Sequence, residues 1–244
     1  MQLDYRIART LGERVSALGL VYQAYRRAGL IEPNPHGVRV TPYHLLDSTT
    51  VFLAAQKDAD PVFTMSLVGD DSLGLPMESI YPAEIGERRD RGTRMAEVSC
   101  LAADPARGGG GFDVFIHLCR LMTVHALWNG YDELVVAVHP RHAKFYRRML
   151  GFRDFGDLRE YPCVKDHPAV ALYLDLHALD RLLPPRLYRF LMQAEYTPEQ
   201  VAGARLSEAD RKHLAECIRT EDYPLPTLGF FEPAQSETLT VSAR

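Results

Sequence analysis

Glu97 sits in the middle of a run that otherwise reads as an apolar strand, Met95–Ala103. A carboxylate in such a place is costly to bury without a partner, so it calls for a chemical or structural reason. Ten residues on come Arg107, Gly108, Gly109, Gly110 and Gly111, directly before an amphipathic helix. Glycines there let the backbone turn tightly and bring bare N–H groups close to a ligand. The helix N-terminus adds partial positive charge and free donors, a combination that suits a phosphate. No Gly-Lys-Ser/Thr follows, which excludes a P-loop, and the run lacks the spacing and acidic ribose ligand of a dinucleotide site. A flexible surface loop is the alternative reading of the glycines.

The elements that would position these groups follow from periodicity. Strict alternation over Met95–Ala103 puts Glu97, Ser99 and Leu101 on one face and Ala96, Val98 and Cys100 on the other. Phe112, Phe115, Ile116, Cys119, Met122, Thr123 and Ala126 recur at helical spacing. Leu134–Val138 is a continuous apolar run, expected for a strand buried on both faces, and a helix over Arg141–Leu150 follows and stops at Gly151. Upstream, Tyr5–Leu30 reads as a helix ending at Gly29, then come a hairpin of Thr50–Gln56 and Val62–Val68 and a short charged helix at Tyr81–Arg91. Glu84 and Glu87 in that helix read as a solvated face. Strands near Arg153–Tyr161 and Ala169–Leu176 complete a mixed sheet flanked by helices, an α/β (α+β) class. Residues 1–176 are thus expected to form one domain and 177–244 a helical extension packed on it. In that extension Ser207 caps a helix and 220–244 is loosely held.

Composition narrows the function. A hydrophobic content of 46% and a charged content of 25% are those of an ordinary globular protein. A net charge of −4 argues against nucleic-acid binding. No apolar stretch is long enough to span a bilayer and the N-terminus lacks a signal-peptide core, so a cytoplasmic protein is expected. Cys100, Cys119, Cys163 and Cys217 have no CxxC spacing and read as reduced thiols. His139 and His142 lack a third ligand in reach, so no metal is expected.

The stretch His139–Phe152 is the most specific in the chain. Phe145 and Met149 should face the sheet, Tyr146 should sit one step round at the edge of a cleft, and Arg141, Lys144 and Arg148 share an outward face. With Arg147 these cations form either a solvated surface or a dock for an acidic partner. Phe145-Tyr146 followed by Leu150-Gly151-Phe152, after a buried strand and a Gly-rich turn and helix, resembles the GNAT superfamily of N-acyltransferases. More narrowly, Tyr43-His44-Leu45-Leu46, Gly74-Leu75-Pro76-Met77, Ala96–Ala102 and Pro140-Arg141-His142-Ala143 with Phe145-Tyr146 resemble the long-chain N-acyl amino acid synthases of the FeeM type. The Glu97-Val98-Ser99 strand is also similar to that of acyl-homoserine-lactone synthases. The resemblance covers about 5–176.

It implies a GNAT-like, mostly antiparallel sheet and direct transfer of a fatty acyl group from a carrier thioester to an amine. Glu97 is then the candidate general base, Ser99 orients the amine or a water, and Tyr146 gives a proton to the leaving thiolate. A backbone N–H near Cys100, Leu101 and Ala102 would meet the oxyanion, and Arg107–Gly111 would hold the phosphopantetheine arm. Cys100 as a covalent nucleophile is the alternative route. The donor implied is an acyl carrier protein, with acyl-CoA as the other possibility, and Arg141, Lys144 and Arg148 would dock the acidic carrier. No permanently bound cofactor is implied. The acceptor is expected to be an amino acid whose carboxylate needs a cation, with Arg26 or Arg94 as candidates. Tyr22 is a further candidate contact, although Tyr22 and Tyr25 also read as core packing. Two other classes stay open: an acetyl-CoA-dependent acetyltransferase of a small amine or peptide, and a non-catalytic acyl-binding module.

Overall fold

The computed structural model describes residues 2–219. The tail expected to be extended, 220–244, lies outside the described residues. The elements run β1 Asp4–Ile7, α1 Leu11–Arg27, β2 Thr49–Ala55, β3 Phe63–Gly69, α2 Pro82–Asp90, β4 Met95–Ala103, α3 Phe112–Trp128, β5 Glu133–Val138, α4 Pro140–Met149, β6 Arg153–Tyr161 and β7 His167–Asp175. Four helices follow: α5 Leu179–Leu182, α6 Pro185–Met192, α7 Pro198–Val201 and α8 Glu208–Glu216.

The strands form one sheet in the order β1-β2-β3-β4-β5-β7-β6. Of the strand pairs among the described residues, only β4–β5 is parallel. Both faces are covered, which is why β2 and β3 are buried at every position. On one face Phe52, Met65, Val98, Leu134 and Leu172 pack against Ile116, Leu118 and Met122 of α3. On the other, Val51 and Leu53 meet Ala17 of α1, and Met95 and Val135 meet Tyr81 and Ile85 at α2. Leu179, Leu183, Leu191 and Val201, from the helices after the sheet, join the α3-side core. Leu206 and Leu214 pack with Leu18 and Leu45 instead, and Ser207 caps α8 by accepting the Asp210 N–H at 3.1 Å.

The N-terminus differs from the helix expected over Tyr5–Leu30. Asp4–Ile7 is a strand paired antiparallel with β2, and Ile7 is buried in the sheet. The helix begins only after Thr10, whose side chain accepts the Glu13 N–H while Glu13 reaches back to the Thr10 N–H. This capping box sets the boundary that apolar spacing alone ran through. At the other end Gly29, with φ +72°, terminates α1 as expected.

Candidate active site

The site begins where the sheet comes apart. β4 pairs with β5 only over Met95–Glu97 against Glu133–Val135. Beyond that, β4 carries an extra residue relative to β3: Ser66 lies opposite Ser99 but Thr64 lies opposite Ala102. Cys100 takes a left-handed conformation there, with φ +51°. This is a bulge, and it bends the strand away from its parallel neighbour. It also overturns the strict alternation expected for the strand. Cys100 and Ala102 pack against Leu20 and Val21 of α1, while Leu101 joins Val98 on the α3 side.

A cavity of about 740 Å3 fills the gap, with Val98 of β4 and Val136 and Val138 of β5 in its walls. Glu97 faces it and is 3% exposed. Its Oε2 accepts the Met77 N–H at 2.7 Å, offered by the short 3-10 turn Pro76–Ser79. Burial pushes the Glu97 carboxyl up to about 8, against the smaller opposing pull of the Met77 N–H. Burial, and then the Glu97 charge, raise the Tyr43 hydroxyl, which also lines the cavity. Ser99 lines the wall with its Oγ 3.8 Å from Cys100 Sγ. His44 is buried and neutral, its pKa pushed down to about 3 by burial and by the charges of Arg14 and Arg39. Its Nδ1 accepts the Thr41 N–H at 3.0 Å, which leaves Nε2 to donate to Ser66 Oγ at 3.3 Å.

Tyr146 comes from α4 and reaches the same cavity. Its ring packs edge-on against Phe145 and Phe152, with centroids 5.9 and 5.3 Å away, and burial raises its hydroxyl. The inward side of α4 is set by Ala143, Tyr146 and Leu150. Phe145 packs against the same core, on Phe112 and Phe115, whereas Met149, also expected to face the sheet, is 42% exposed. Past Tyr146 lies a smaller space of about 30 Å3, lined by Cys119, Met122, Phe152, Leu174 and Leu191. It shares Val98, Leu101, Phe115 and Tyr146 with the larger cavity, so the two are neighbours across these side chains.

The glycine turn divides between structure and site. Gly110 and Gly111 line the cavity, and Gly111 begins α3 with no side-chain cap, so the first N–H groups of that helix lie at the cavity edge. Arg107 is tied back into the turn, donating to Asp104 Oδ2 at 2.7 Å and to the Pro61 carbonyl at 3.1 Å. Gly108 has φ +87°, and a Cβ on Gly109 would overlap the Val62 carbonyl, so these two hold the shape of the turn without facing the cavity.

Tyr22, Arg26 and Arg94 are not brought to the cavity. The Tyr22 hydroxyl accepts the Asn34 N–H at 3.4 Å, and Arg26 donates to the Ile31 carbonyl at 3.1 Å. Arg94 donates to the Asn129 carbonyl at 2.8 Å, just before the far end of β4. In their place the cavity takes Tyr25, Arg39, Tyr43, His44 and Tyr161. Tyr43 and His44 belong to the Tyr43-His44-Leu45-Leu46 stretch that carries the resemblance; nothing in the sequence around Arg39 or Tyr161 marks them. At the mouth, His139 Nδ1 accepts the Arg141 N–H at 3.2 Å and so caps α4. Arg141, Lys144 and Arg148 are exposed, and the latter two make no hydrogen bond or ion pair among the described residues. Arg147 is separate from them, paired with Asp154 at 2.6 Å. Among the described residues no helix is long and apolar enough to cross a membrane.

Comparison with known proteins agrees with this fold. The family model described as N-acyl amino acid synthase FeeM matches residues 16–175. The structure of FeeM, an N-acyl amino acid synthase from uncultured soil microbes, is similar with a TM-score of 0.67 and 26% identity, covering 77% of this chain and 97% of that one. The AHL synthase LasI shares the fold at a TM-score of 0.57 and 17% identity, over 85% of this chain and 98% of its own. The CoA-dependent acyl-homoserine lactone synthase BjaI does so at 0.58 and 13%, over 88% and 100%. No curated protein matches the sequence.

Proposed function

The chain belongs to the FeeM family of N-acyl amino acid synthases, and from that premise we propose that it moves a long-chain acyl group from an acyl carrier protein thioester to the amine of an amino acid. The observation that carries this reading is Glu97. It is a buried carboxylate facing a cavity of about 740 Å3 whose walls are largely apolar.

The reaction is direct attack. The acceptor's nitrogen bonds to the thioester carbonyl carbon, and Glu97 takes the proton that nitrogen loses, directly or through a water that Ser99 orients. The carbonyl oxygen becomes an oxyanion and meets a backbone N–H near Cys100, where the bulge releases β4 from regular pairing. The carbon–sulfur bond then breaks, and Tyr146 protonates the departing thiolate. The cavity of about 740 Å3, with Val98, Phe115, Val136 and Val138 in its walls, has room for a long acyl chain, which favours a long chain over an acetyl group. The N-terminal edge of α3 at Gly110 and Gly111 borders the path of the phosphopantetheine arm. Outside, Arg141, Lys144 and Arg148 steer in an acidic carrier protein.

Steady-state rates with dodecanoyl carrier protein, dodecanoyl-CoA and acetyl-CoA, each with the same amino acid pool, test the donor. The reading expects the highest kcat/KM with the loaded carrier. An equal or higher value with dodecanoyl-CoA reassigns the donor to CoA thioesters. Turnover of acetyl-CoA alone makes the protein an acetyltransferase.

A further inference from the structure

Apart from histidines, the acidic and basic side chains in the cavity wall are Glu97, Arg39 and Arg141. Arg141 is exposed at the mouth, whereas Arg39 is 7% exposed and lies inside. Arg39 stands in the segment between α1 and β2, its backbone N–H donating to the Leu18 carbonyl of α1 at 3.1 Å. Its Nη2 donates to the Cys163 carbonyl at 3.1 Å, in the turn between β6 and β7. Its guanidinium lies over the Tyr25 ring, 5.2 Å from the centroid. The Cys163 carbonyl and the Tyr25 face thus hold the guanidinium, while the Leu18 carbonyl holds its backbone. Its charge is felt inside the site: it opposes the burial that raises the Cys100 thiol, and after burial and Arg14 it adds to what disfavours protonation of His44. Glu97 does not pair with it, because the hydrogen bond Glu97 accepts is from Met77.

The wall therefore holds a carboxylate and a cation separately, and an α-amino acid carries the complementary groups one carbon apart. We propose that Arg39 is the receptor for the acceptor's α-carboxylate, so that the site selects free α-amino acids over amines, esters and amides. This rests on the reading that the cavity acylates amines. A guanidinium matches a carboxylate through parallel N–H donors, and burial makes that match stronger than it is at the surface. With the carboxylate on Arg39, the α-nitrogen is left to face the Glu97 side of the chamber. Arg39 is a binding residue in this scheme and takes no part in proton transfer.

The test is binding of the product class, which needs no turnover. Calorimetry compares N-dodecanoylglycine with its methyl ester, so that no side-chain preference enters. The wild-type protein is expected to bind the acid about tenfold or more tightly than the ester. Arg39→Gln is expected to bring the ratio near one by weakening the acid alone, and Arg141→Gln is expected to keep it. A wild-type ratio near one, a ratio that survives Arg39→Gln, or one that is lost in Arg141→Gln overturns the proposal. If Arg39→Gln fails to fold, the wild-type and Arg141→Gln ratios decide between the two cations. Failure of the acyl-transfer reading shows itself differently, as absence of product from every thioester donor while the acid-to-ester ratio persists.

Discussion

The Met77 amide donates to Glu97 Oε2 at 2.7 Å, and burial outweighs this bond, holding the carboxyl near 8. A residue so tuned is mostly protonated at pH 7 and becomes a base as the pH rises. In the free enzyme kcat/KM should therefore climb up to about pH 8 and then level. Glu97→Gln keeps an oxygen for Met77 and removes the base. It should lower kcat about 100-fold or more and abolish that climb, with the donor KM little changed. Initial rates across pH check this, and an unchanged profile in the variant removes Glu97 from proton transfer.

The same residue sets a stability trend of definite sign. The folded carboxyl titrates near 8 and the unfolded one near its ordinary value of 4.5. Between those values the folded state binds the extra proton, so wild-type stability falls as pH rises through that window. Glu97→Gln should melt with the wild type at pH 4.5 and about 5 °C or more above it at pH 9. Thermal melts at the two pH values measure the difference.

Tyr146→Phe keeps the ring against Phe145 and Phe152 and removes only the hydroxyl. If that hydroxyl protonates the leaving thiolate, kcat with a pantetheine thioester should fall about 10- to 100-fold. An aryl thioester, whose thiolate leaves without help, should be used almost as well as by the wild type. Equal losses with both donors would assign the hydroxyl to positioning rather than to leaving-group protonation, and no loss with either would assign Tyr146 to packing.

Charge reversal on α4 separates carrier docking from chemistry. Lys144→Glu with Arg148→Glu should raise KM for a loaded carrier protein about tenfold at low salt, less at high salt, and leave dodecanoyl-CoA kinetics alone. Kinetics with both donors at two ionic strengths provide the readout.

Gly109→Ala forces a Cβ onto the Val62 carbonyl. Because the obstacle is backbone, the turn must shift, at a cost of about 1–3 kcal/mol. Denaturant unfolding should show this loss, while Gly111→Ala, with ordinary contact around its Cβ, should unfold close to the wild type.

What the sequence shows and hides follows from how local each signal is. β4, β6 and the start of α3 could be read directly, because alternation, the glycine run and the helical spacing lie within a few residues. β1 was hidden inside a pattern that also fits a helix, and only the Thr10–Glu13 box separates the two. The exchange of Cys100 and Leu101 between faces comes from a left-handed residue that is not glycine, which no periodicity announces. In the site, Glu97, Tyr146, Gly110 and Gly111 stood out by type and motif and do line the cavity. Arg39 did not, because its neighbour Cys163 is 124 residues away and nothing near either marks the meeting.

The central claim is most directly tested by following one bond. Dodecanoyl carrier protein is incubated with the protein and a nitrogen-15-labelled amino acid pool, and products are read by mass spectrometry. The account predicts a labelled N-dodecanoyl amino acid, formed one for one with free carrier thiol. Free dodecanoic acid without label, or a carrier that stays loaded, would contradict it.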